Sequence, residues 1–335
     1  MGVTMDFTTI GKTGIHVSNL CFGTMSFGGN ADEETSIAMY KQCRAAGINF
    51  FDTANVYNGG LSEEILGKCI SGHRDEVVLT SKAGLPTGNN MNSGGLSRRN
   101  LFLSIEQSLK RLGTDRIEFY FVHLFDDYTH IEEVVRALDD LQKQGKILFP
   151  AVSNWAAWQI AKALGISEKE LLARFELIQP MYNLVKRQAE VEIFPLARSE
   201  QLGVITYSPL GGGLLTGKYS NKQKRPEQGR LIEQKNYEKR YGKPYYHNIA
   251  DQFTELASQW GYHPASLAVS WVLNHPDVTA PIIGARNPEQ LALSIAGAEI
   301  SLSRTEREQI TALTIAPSLP TDHDPDEDLF NKYKK

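Results

Sequence analysis

The feature that most constrains the fold of this chain is an alternation of short apolar runs with longer amphipathic segments. Eight runs rich in β-branched and aromatic residues have the character of strands, and the segments between them carry apolar residues at helical spacing. The predicted strands cover residues 17–23, 48–52, 77–82, 117–123, 147–153, 175–180, 204–208 and 280–285. Such an alternation is typical of βαβ units and predicts an α/β fold with a parallel sheet.

The number of predicted strands distinguishes two parallel architectures. An open doubly wound sheet can be built from the same alternation, but eight strands is the number that closes a (β/α)8 (TIM) barrel, which we therefore favour. Residues 9–17 predict an N-terminal β-hairpin that plugs one end, and residues 303–315 predict an extra C-terminal helix. The chain of 335 residues is thus expected to form one barrel domain over residues 1–316, followed by an acidic tail over 317–335.

Charge and composition exclude several classes of function. The net charge is −4, and no cluster of Lys and Arg is interleaved with aromatic residues, so we expect no nucleic-acid partner. No apolar run approaches the roughly 18 residues that a membrane span needs, and the N-terminus lacks a targeting pattern. Three cysteines without a CxxC motif indicate free thiols in a reducing compartment, so we expect a cytoplasmic protein without membrane contact.

Metal chemistry is also disfavoured by the sequence. No predicted strand ends in HxH, and the eight histidines show no ligand spacing, so no metal site is predicted. A metal-dependent barrel hydrolase is therefore the weaker alternative. Residues 217–243 are polar, rich in Gly and Lys, and longer than an ordinary connection, which favours a functional lid over a disordered insert.

Ionisable side chains stand at the ends of three successive predicted strands. Asp52 ends the second strand with Tyr57 in the loop after it, Lys82 ends the third, and His123 ends the fourth. In a parallel barrel these ends meet at one face, where the chemistry takes place. The sequence therefore predicts that the four side chains form a single site.

These four residue types suit a proton donor that acts on a carbonyl oxygen. A phenol with a pKa near ~10 is a weak acid, and a neighbouring ammonium ion lowers that pKa. A buried ammonium needs a carboxylate, which gives Asp52 a role beside Lys82, and His123 can position the substrate oxygen. Because this proton donor needs no protein nucleophile beside it, we expect the attacking group to be a hydride from a nicotinamide cofactor.

Several motifs in fixed order carry a family resemblance. FFDTANVYNGGLSEEILGKCI, VVLTSK, IEFYFVH, AVSNW, LIQPMYN, ITYSPLGGGLLTGKY and IIGARNPEQL resemble the aldo-keto reductase superfamily, in particular the bacterial aldehyde and ketone reductases grouped with potassium-channel β-subunits. The resemblance implies a (β/α)8 barrel that binds NADPH/NADP+ without a GxGxxG motif. It implies reduction of an aldehyde or ketone, including open-chain sugars, with Asp52, Tyr57, Lys82 and His123 as the catalytic tetrad and Tyr57 as general acid.

The resemblance also implies a set of cofactor-binding residues. From the nicotinamide to the adenosine end these are Ser153, Asn154 and Gln179 at the carboxamide, Tyr207 on the ring, Gly23, Thr24 and Met25 at the floor, Ser208, Pro209, Leu210, Gly212, Lys218 and Arg230 at the pyrophosphate, Gly284, Ala285 and Arg286 at the adenosine 2′-phosphate, and Gln290 at the adenine. An Arg at the 2′-phosphate favours NADPH over NADH. Ser294 departs from the Asn common in the family, which predicts fewer contacts to the adenine.

Three questions stay open at the level of sequence. The tetrad is also compatible with the alternative of a slow-turnover, NADPH-binding redox sensor or regulatory subunit, and no motif encodes the oligomeric state or the physiological substrate. Aromatic side chains after the strands are expected to form an apolar wall for a small carbonyl substrate: Phe22, Phe27, Phe125, Tyr128 and Trp155. Asp126 and Asp127 are expected to disfavour anionic substrates.

Overall fold

Eight parallel strands close into a barrel in the computed structural model, which describes residues 5–220, 226 and 229–319. The strands are β3 (Cys21–Gly23), β4 (Phe50–Asp52), β5 (Val78–Ala83), β6 (Ile117–Val122), β7 (Ile147–Ser153), β8 (Leu177–Gln179), β9 (Gly203–Thr206) and β10 (Ala280–Ile283). Hydrogen bonding runs in the order β10-β3-β4-β5-β6-β7-β8-β9 around the closed sheet. The predicted (β/α)8 fold is confirmed.

An antiparallel hairpin precedes the barrel, as predicted. It pairs β1 (Phe7–Thr9) with β2 (His16–Ser18), and the fully buried Ile10 and Val17 join the apolar cluster that fills the barrel. The predicted first strand over residues 17–23 was wrong in extent, because the hairpin takes Val17 and Ser18. The Ser18 hydroxyl donates to the Leu20 carbonyl at 2.7 Å, a local hydrogen bond that turns the chain before β3 begins.

Helices surround the barrel and follow the amphipathic segments of the sequence. They are α1 (Glu33–Ala45), α2 (Leu61–Ile70), α3 (Arg98–Leu112), α4 (Ile131–Lys143), α5 (Ala157–Glu170), α6 (Ile193–Glu200), α7 (Arg230–Glu233), α8 (Lys235–Tyr241), α9 (Pro244–Gln259), α10 (Pro264–Leu273), α11 (Pro288–Ile295) and α12 (Arg304–Thr311). Side-chain caps begin several of them: Asp32 accepts from the Thr35 amide, and Ser303 forms a capping box with Glu306. Helix α12 is the extra C-terminal helix that the sequence predicts.

One barrel helix, α10, was not predicted from the sequence. It begins with Pro264 at its first turn, and its side chains are buried almost all around the helix. A helix buried on every side has no amphipathic stripe, so its apolar residues do not stand out at helical spacing. The periodicity that revealed the other helices was therefore weak here.

Residues 217–243, predicted as a lid, contain the short helices α7 and α8 in their described part. Leu231 and Tyr241 from these helices are buried in the core beside the glycine-rich turn Gly211–Thr216. Most of the predicted acidic tail, from residue 320 onward, lies outside the described residues. Within the described ranges, no helix is both long enough and apolar enough to cross a bilayer.

Candidate active site

Successive side chains along a strand point to opposite faces of the sheet, so every second residue points into the barrel. Phe50, Val78, Phe119, Ala151 and Leu177 fill its interior. Two or four residues further along the same strands, on the same inward face, the chain reaches Asp52, Lys82, His123, Ser153 and Gln179. The inward rows therefore change from apolar to polar together as the strands end.

Lys82 is fully buried and uses its ammonium group to join three parts of the site. Its Nζ donates to Asp52 Oδ2 at 2.6 Å, to the Thr53 carbonyl at 2.8 Å and to the Tyr57 hydroxyl at 3.3 Å. Burial acts to lower the pKa of Lys82, but Asp52 and Tyr57 outweigh it and hold that pKa above the ordinary value. Lys82 is therefore a permanent cation beside the phenol.

The Asp52 carboxylate is fixed by partners on both of its oxygens. Besides the ion pair with Lys82, its Oδ1 accepts from Thr80 Oγ1 at 2.6 Å and from Gln179 Nε2 at 2.9 Å. A buried ion pair is stable only when its remaining hydrogen-bonding capacity is satisfied. Thr80 and Gln179 meet that requirement, and the carboxylate that they fix holds Lys82 in one position.

The pKa of Tyr57 moves in the opposite direction from the one that the sequence suggested. Burial raises it above its ordinary value of about 10, and the Lys82 ammonium lowers it by less than burial raises it. The expectation of a net lowering was therefore wrong for this structure, because burial penalises the phenolate more than one ammonium ion compensates. Tyr57 is protonated at neutral pH, as a proton donor must be.

His123 lies beside Tyr57 with its ring edge-on at a centroid distance of 6.0 Å. Burial and the Lys82 ammonium lower the pKa of His123 to about 3, so the imidazole is neutral at physiological pH. Its Nδ1 is buried and has no hydrogen-bond partner among the described residues.

A cavity of about 790 Å³ opens at this face of the barrel, and most of the predicted site residues line it. They are Gly23, Met25, Asp52, Tyr57, His123, Ser153, Asn154, Gln179, Tyr207, Ser208, Pro209, Leu210, Gly212, Lys218, Arg230, Gly284, Ala285, Arg286 and Gln290. Lys82 lies behind Tyr57 and Asp52 rather than on the surface. We call this space the reaction cavity, and Asp52, Tyr57, Lys82 and His123 its acid end.

Thr24 is placed differently from the prediction. Its side chain is fully buried, and its hydroxyl donates to the Asp52 carbonyl at 3.1 Å and lies 2.7 Å from the Ser62 hydroxyl. It therefore holds the backbone beneath the acid end and does not line the reaction cavity.

Next to the acid end, polar side chains form a connected group. Asn154, which has a left-handed backbone with φ of 58°, donates through Nδ2 to the His123 carbonyl at 2.9 Å and to Ser153 Oγ at 3.0 Å. Its Oδ1 accepts from the Tyr207 hydroxyl at 2.8 Å, and Ser153 Oγ donates to the Gln179 carbonyl at 2.9 Å. The group is therefore positioned by strands β7, β8 and β9 before any ligand is bound.

The opposite part of the reaction cavity, which we call the cationic end, combines bare backbone with positive charge. Gly211, Gly212 and Gly213 all have positive φ, and a Cβ on Gly212 would lie 2.7 Å from the Tyr237 ring. Only glycine fits such a turn without strain. The cations here are Lys218, Arg230 and Arg286.

The charges of the cationic end are only partly balanced. Arg286 pairs with Glu233 at 2.8 Å. Burial, together with Arg286 and Arg230, lowers the pKa of Lys218, which shows that positive charge accumulates there. Backbone amides and cations around a glycine turn are an arrangement that binds phosphate groups.

Sequence reasoning missed residues that helix α8 brings to the reaction cavity. Asn236, Tyr237 and Arg240 line it, and the Arg230 and Arg240 guanidinium groups each lie 5.5 Å from the Tyr237 ring centre. The spacing of Tyr237 and Arg240 on one helical face was the available signal. Their approach to the barrel depends on how α8 packs.

The predicted aromatic wall is not found at the reaction cavity. Phe22 and Phe27 are fully buried between barrel and helices, and Tyr128 is almost fully exposed. Residues that line the cavity near the acid end instead include Met25, Val56 and Leu85.

Asp126, expected to repel anions, has a structural role. Its carboxylate accepts from the Leu96 and Tyr128 amides at 2.7 Å and 2.9 Å and from the Thr129 hydroxyl at 2.7 Å. Neither Asp126 nor Asp127 lines the reaction cavity. Across the part of the chain that is described, no group of three or more His, Cys, Asp or Glu residues is arranged to hold a metal ion.

Comparison with known proteins places this site in a family context. The model of the aldo/keto reductase family matches residues 19–315. An uncharacterized oxidoreductase YrpG of Bacillus subtilis (strain 168) is 39% identical over 316 residues, covering 90% of this chain and 93% of that protein. The aldo-keto reductase YhdN of the same organism is 35% identical, covering 86% of this chain and 87% of its own. A probable voltage-gated potassium channel subunit beta of Arabidopsis thaliana is 34% identical, with 86% and 89% covered.

Proposed function

The chain belongs to the aldo/keto reductase family and is an oxidoreductase, and on that premise we propose that it reduces an aldehyde or ketone to an alcohol with NADPH as cofactor. The observation that carries the proposal is the buried contact of Lys82 with both Asp52 and Tyr57 at the wall of the reaction cavity. That contact combines a permanent cation, its counterion and a protonated phenol, with a neutral imidazole beside them.

The residues of the reaction cavity fit a nicotinamide dinucleotide phosphate. The glycine turn and the cations Lys218 and Arg230 suit its pyrophosphate, and Arg286 suits its 2′-phosphate. Asn154 and Gln179 offer amide groups, and Tyr207 an aromatic face, to the nicotinamide end. When bound, the cofactor supplies the hydride that no protein side chain can provide.

The protein's own part in the reaction is to bind, orient and protonate the substrate. His123 is neutral at physiological pH because its pKa is lowered to about 3, so it carries one ring N–H. That N–H donates a hydrogen bond to the carbonyl oxygen. Tyr57 lies within reach of the same oxygen and transfers its hydroxyl proton as negative charge develops there. The Lys82 ammonium stabilises the phenolate that remains, and Asp52 holds Lys82 in place.

Steady-state kinetics test this proposal directly. A panel of small apolar aldehydes and ketones, together with open-chain sugars, is expected to give multiple turnovers of NADPH oxidation, with a lower kcat/KM for NADH than for NADPH. Absence of turnover with every carbonyl compound would contradict the proposal.

The same assay addresses the alternative of a redox sensor, which the sequence left open. Such a protein oxidises its bound NADPH once and then stalls, so product formation stops at one equivalent per chain. Continuous turnover excludes that behaviour. The similar proteins include both kinds: one is named as a potassium channel subunit, whereas YrpG and YhdN are named as an oxidoreductase and an aldo-keto reductase.

A further inference from the structure

A second cavity, of about 560 Å³, lies beside the reaction cavity. Asn154, Tyr207 and Arg240 line both cavities, so the hydrogen bond between the Tyr207 hydroxyl and the Asn154 amide belongs to the wall between them. The volume lies in the range of about 300–1,000 Å³ that small-molecule sites occupy. We call this space the side cavity.

The side cavity has a mainly apolar lining, contributed by the chain after β7 and by the segment from β8 to α6. The apolar lining includes Trp155, Ile178, Pro180, Met181, Val191 and Ile193. Removing such apolar surface from water is favourable, so a hydrocarbon group that displaces the water there gains binding free energy. The lining therefore favours a ligand with an apolar body, such as an aromatic ring.

The charges around the side cavity favour an anionic ligand. Lys186 lines it with an ammonium held by the Tyr246 hydroxyl at 2.8 Å. Arg240 forms no ion pair with any described residue and lies over the Tyr237 ring. Glu192, which is exposed, is the single carboxylate among the described lining residues. Two cations against one carboxylate leave a net positive charge.

We propose that the side cavity is a second ligand site for a small aromatic carboxylate. Its ring packs on the apolar lining, while its carboxylate pairs with Lys186 and Arg240. An effect of this ligand on the cofactor rests on the proposed function, because Asn154 and Tyr207 are the residues proposed to bind the nicotinamide. A ligand that packs against them from the side cavity changes the affinity for NADPH, and NADPH changes the ligand's affinity by the same factor.

Direct binding tests the site without relying on the cofactor. Calorimetric titration of the full chain, free of NADPH, with 2-naphthoate is expected to show one binding event, and the neutral 2-naphthamide is expected to bind about tenfold more weakly. Lys186→Gln is expected to weaken 2-naphthoate binding but not 2-naphthamide binding. No heat of binding would overturn the proposal.

Two bulky variants assign the binding to one cavity or the other. Ala156→Trp fills the side cavity and is expected to abolish 2-naphthoate binding, whereas Leu85→Trp, which narrows the reaction cavity, is expected to leave it unchanged. Loss of binding in Leu85→Trp with retention in Ala156→Trp would place the carboxylate in the reaction cavity and overturn the proposal. Circular dichroism spectra of both variants verify that they fold.

The coupling is measured as the dissociation constant of NADPH with and without saturating 2-naphthoate. A shift of at least about threefold, absent in Ala156→Trp, is expected from the shared wall. An unchanged constant overturns the coupling. A chain that binds 2-naphthoate but not NADPH instead contradicts the proposed function and leaves the side cavity assigned.

Discussion

The acid end and the cationic end of the reaction cavity differ in how their charges are balanced. At the acid end, Lys82 meets its counterion Asp52 inside the protein, and Thr80 and Gln179 satisfy the remaining carboxylate oxygen. At the cationic end, Lys218, Arg230 and Arg286 share one described carboxylate, Glu233, which pairs with Arg286. The first arrangement is complete without a ligand, whereas three cations face one carboxylate among the described residues of the second.

This difference suggests that the acid end serves the chemical step and that the cationic end serves cofactor binding. A self-balanced cluster fixes the orientation of the proton donor before substrate arrives, so reorganisation is not needed during the reaction. An unbalanced cluster gains free energy when an anion enters, so it contributes affinity. Variants at the acid end should therefore affect turnover and stability, and variants at the cationic end should affect the affinity for NADPH.

The largest effect is expected from Tyr57→Phe. Removal of the hydroxyl eliminates the proton donor while the ring can keep its packing, so kcat for carbonyl reduction should fall by about 10²–10⁴-fold. The dissociation constant of NADPH, measured by fluorescence titration, should stay within about twofold, because the Tyr57 hydroxyl contacts Lys82 and not Lys218, Arg230 or Arg286. A variant that retains near-normal turnover would refute the role of Tyr57 as acid.

Lys82→Met should cost the most stability. It leaves the Asp52 carboxylate buried without its cation, and breaking one partner of a buried pair costs about 3–5 kcal/mol. Urea unfolding measures the difference in the free energy of unfolding. The matched control is Lys68→Met, since Lys68 pairs with Glu33 on the exposed surface and such pairs contribute about 0–1 kcal/mol. Equal losses in the two variants would contradict a self-balanced acid end.

Arg286→Met should weaken NADPH binding while sparing turnover. Loss of a charge-assisted contact to the 2′-phosphate is expected to raise the dissociation constant of NADPH by about 10-fold. The constant for NADH, which lacks that phosphate, should stay nearly unchanged. Arg198→Met serves as control, because Arg198 pairs with Asp277 away from the reaction cavity. A similar loss for both cofactors would show that Arg286 does not contact the 2′-phosphate.

The smallest effect is expected from pH. The pKa of His123 is lowered to about 3 and that of Tyr57 is raised above its ordinary value, so neither group titrates near neutrality. The value of kcat/KM for reduction should therefore be flat between about pH 5 and 8 and should fall only at high pH, when Tyr57 loses its proton. A profile that changes near pH 6.5 would mean that His123 titrates there, in conflict with its burial.

Stability should respond to acid through the same histidine. Because the folded pKa of His123 lies below the unfolded value of about 6.5, the unfolded state binds more protons in this window. The contribution of His123 to the free energy of unfolding is therefore fully present above the unfolded pKa, and it is lost as the pH falls from about 6.5 toward 3. In His123→Gln, this part of the acid dependence of urea unfolding should disappear.

The acid end shows how far sequence reasoning reaches. Asp52, Lys82 and His123 could be predicted together because strand periodicity and parallel topology bring strand ends to one face. The direction of the Tyr57 pKa could not be predicted, because it is a difference between desolvation and a Coulombic effect that depends on burial. Thr24 shows the same limit, since burial against Ser62 and the Asp52 carbonyl gives it a supporting position.

The elements missed or misjudged share a physical cause. Helix α10 has apolar side chains on all faces, so no periodic stripe marked it. Tyr237 and Arg240 reach the reaction cavity only because α8 packs beside the glycine turn. Phe22 alternates with inward-facing Cys21 and so points away from the barrel interior.

The chain's own order of residues was sufficient for the number of barrel strands and for the convergence of Asp52, Lys82 and His123 at one face, because these follow from local periodicity and a parallel topology. The balance of charge at each end, the pKa values and the side cavity required the folded protein. They depend on contacts such as Gln179 with Asp52 and Tyr207 with Asn154, whose partners are far apart in the chain. Solvent exclusion and distance between such partners arise only when the helices and loops pack around the barrel.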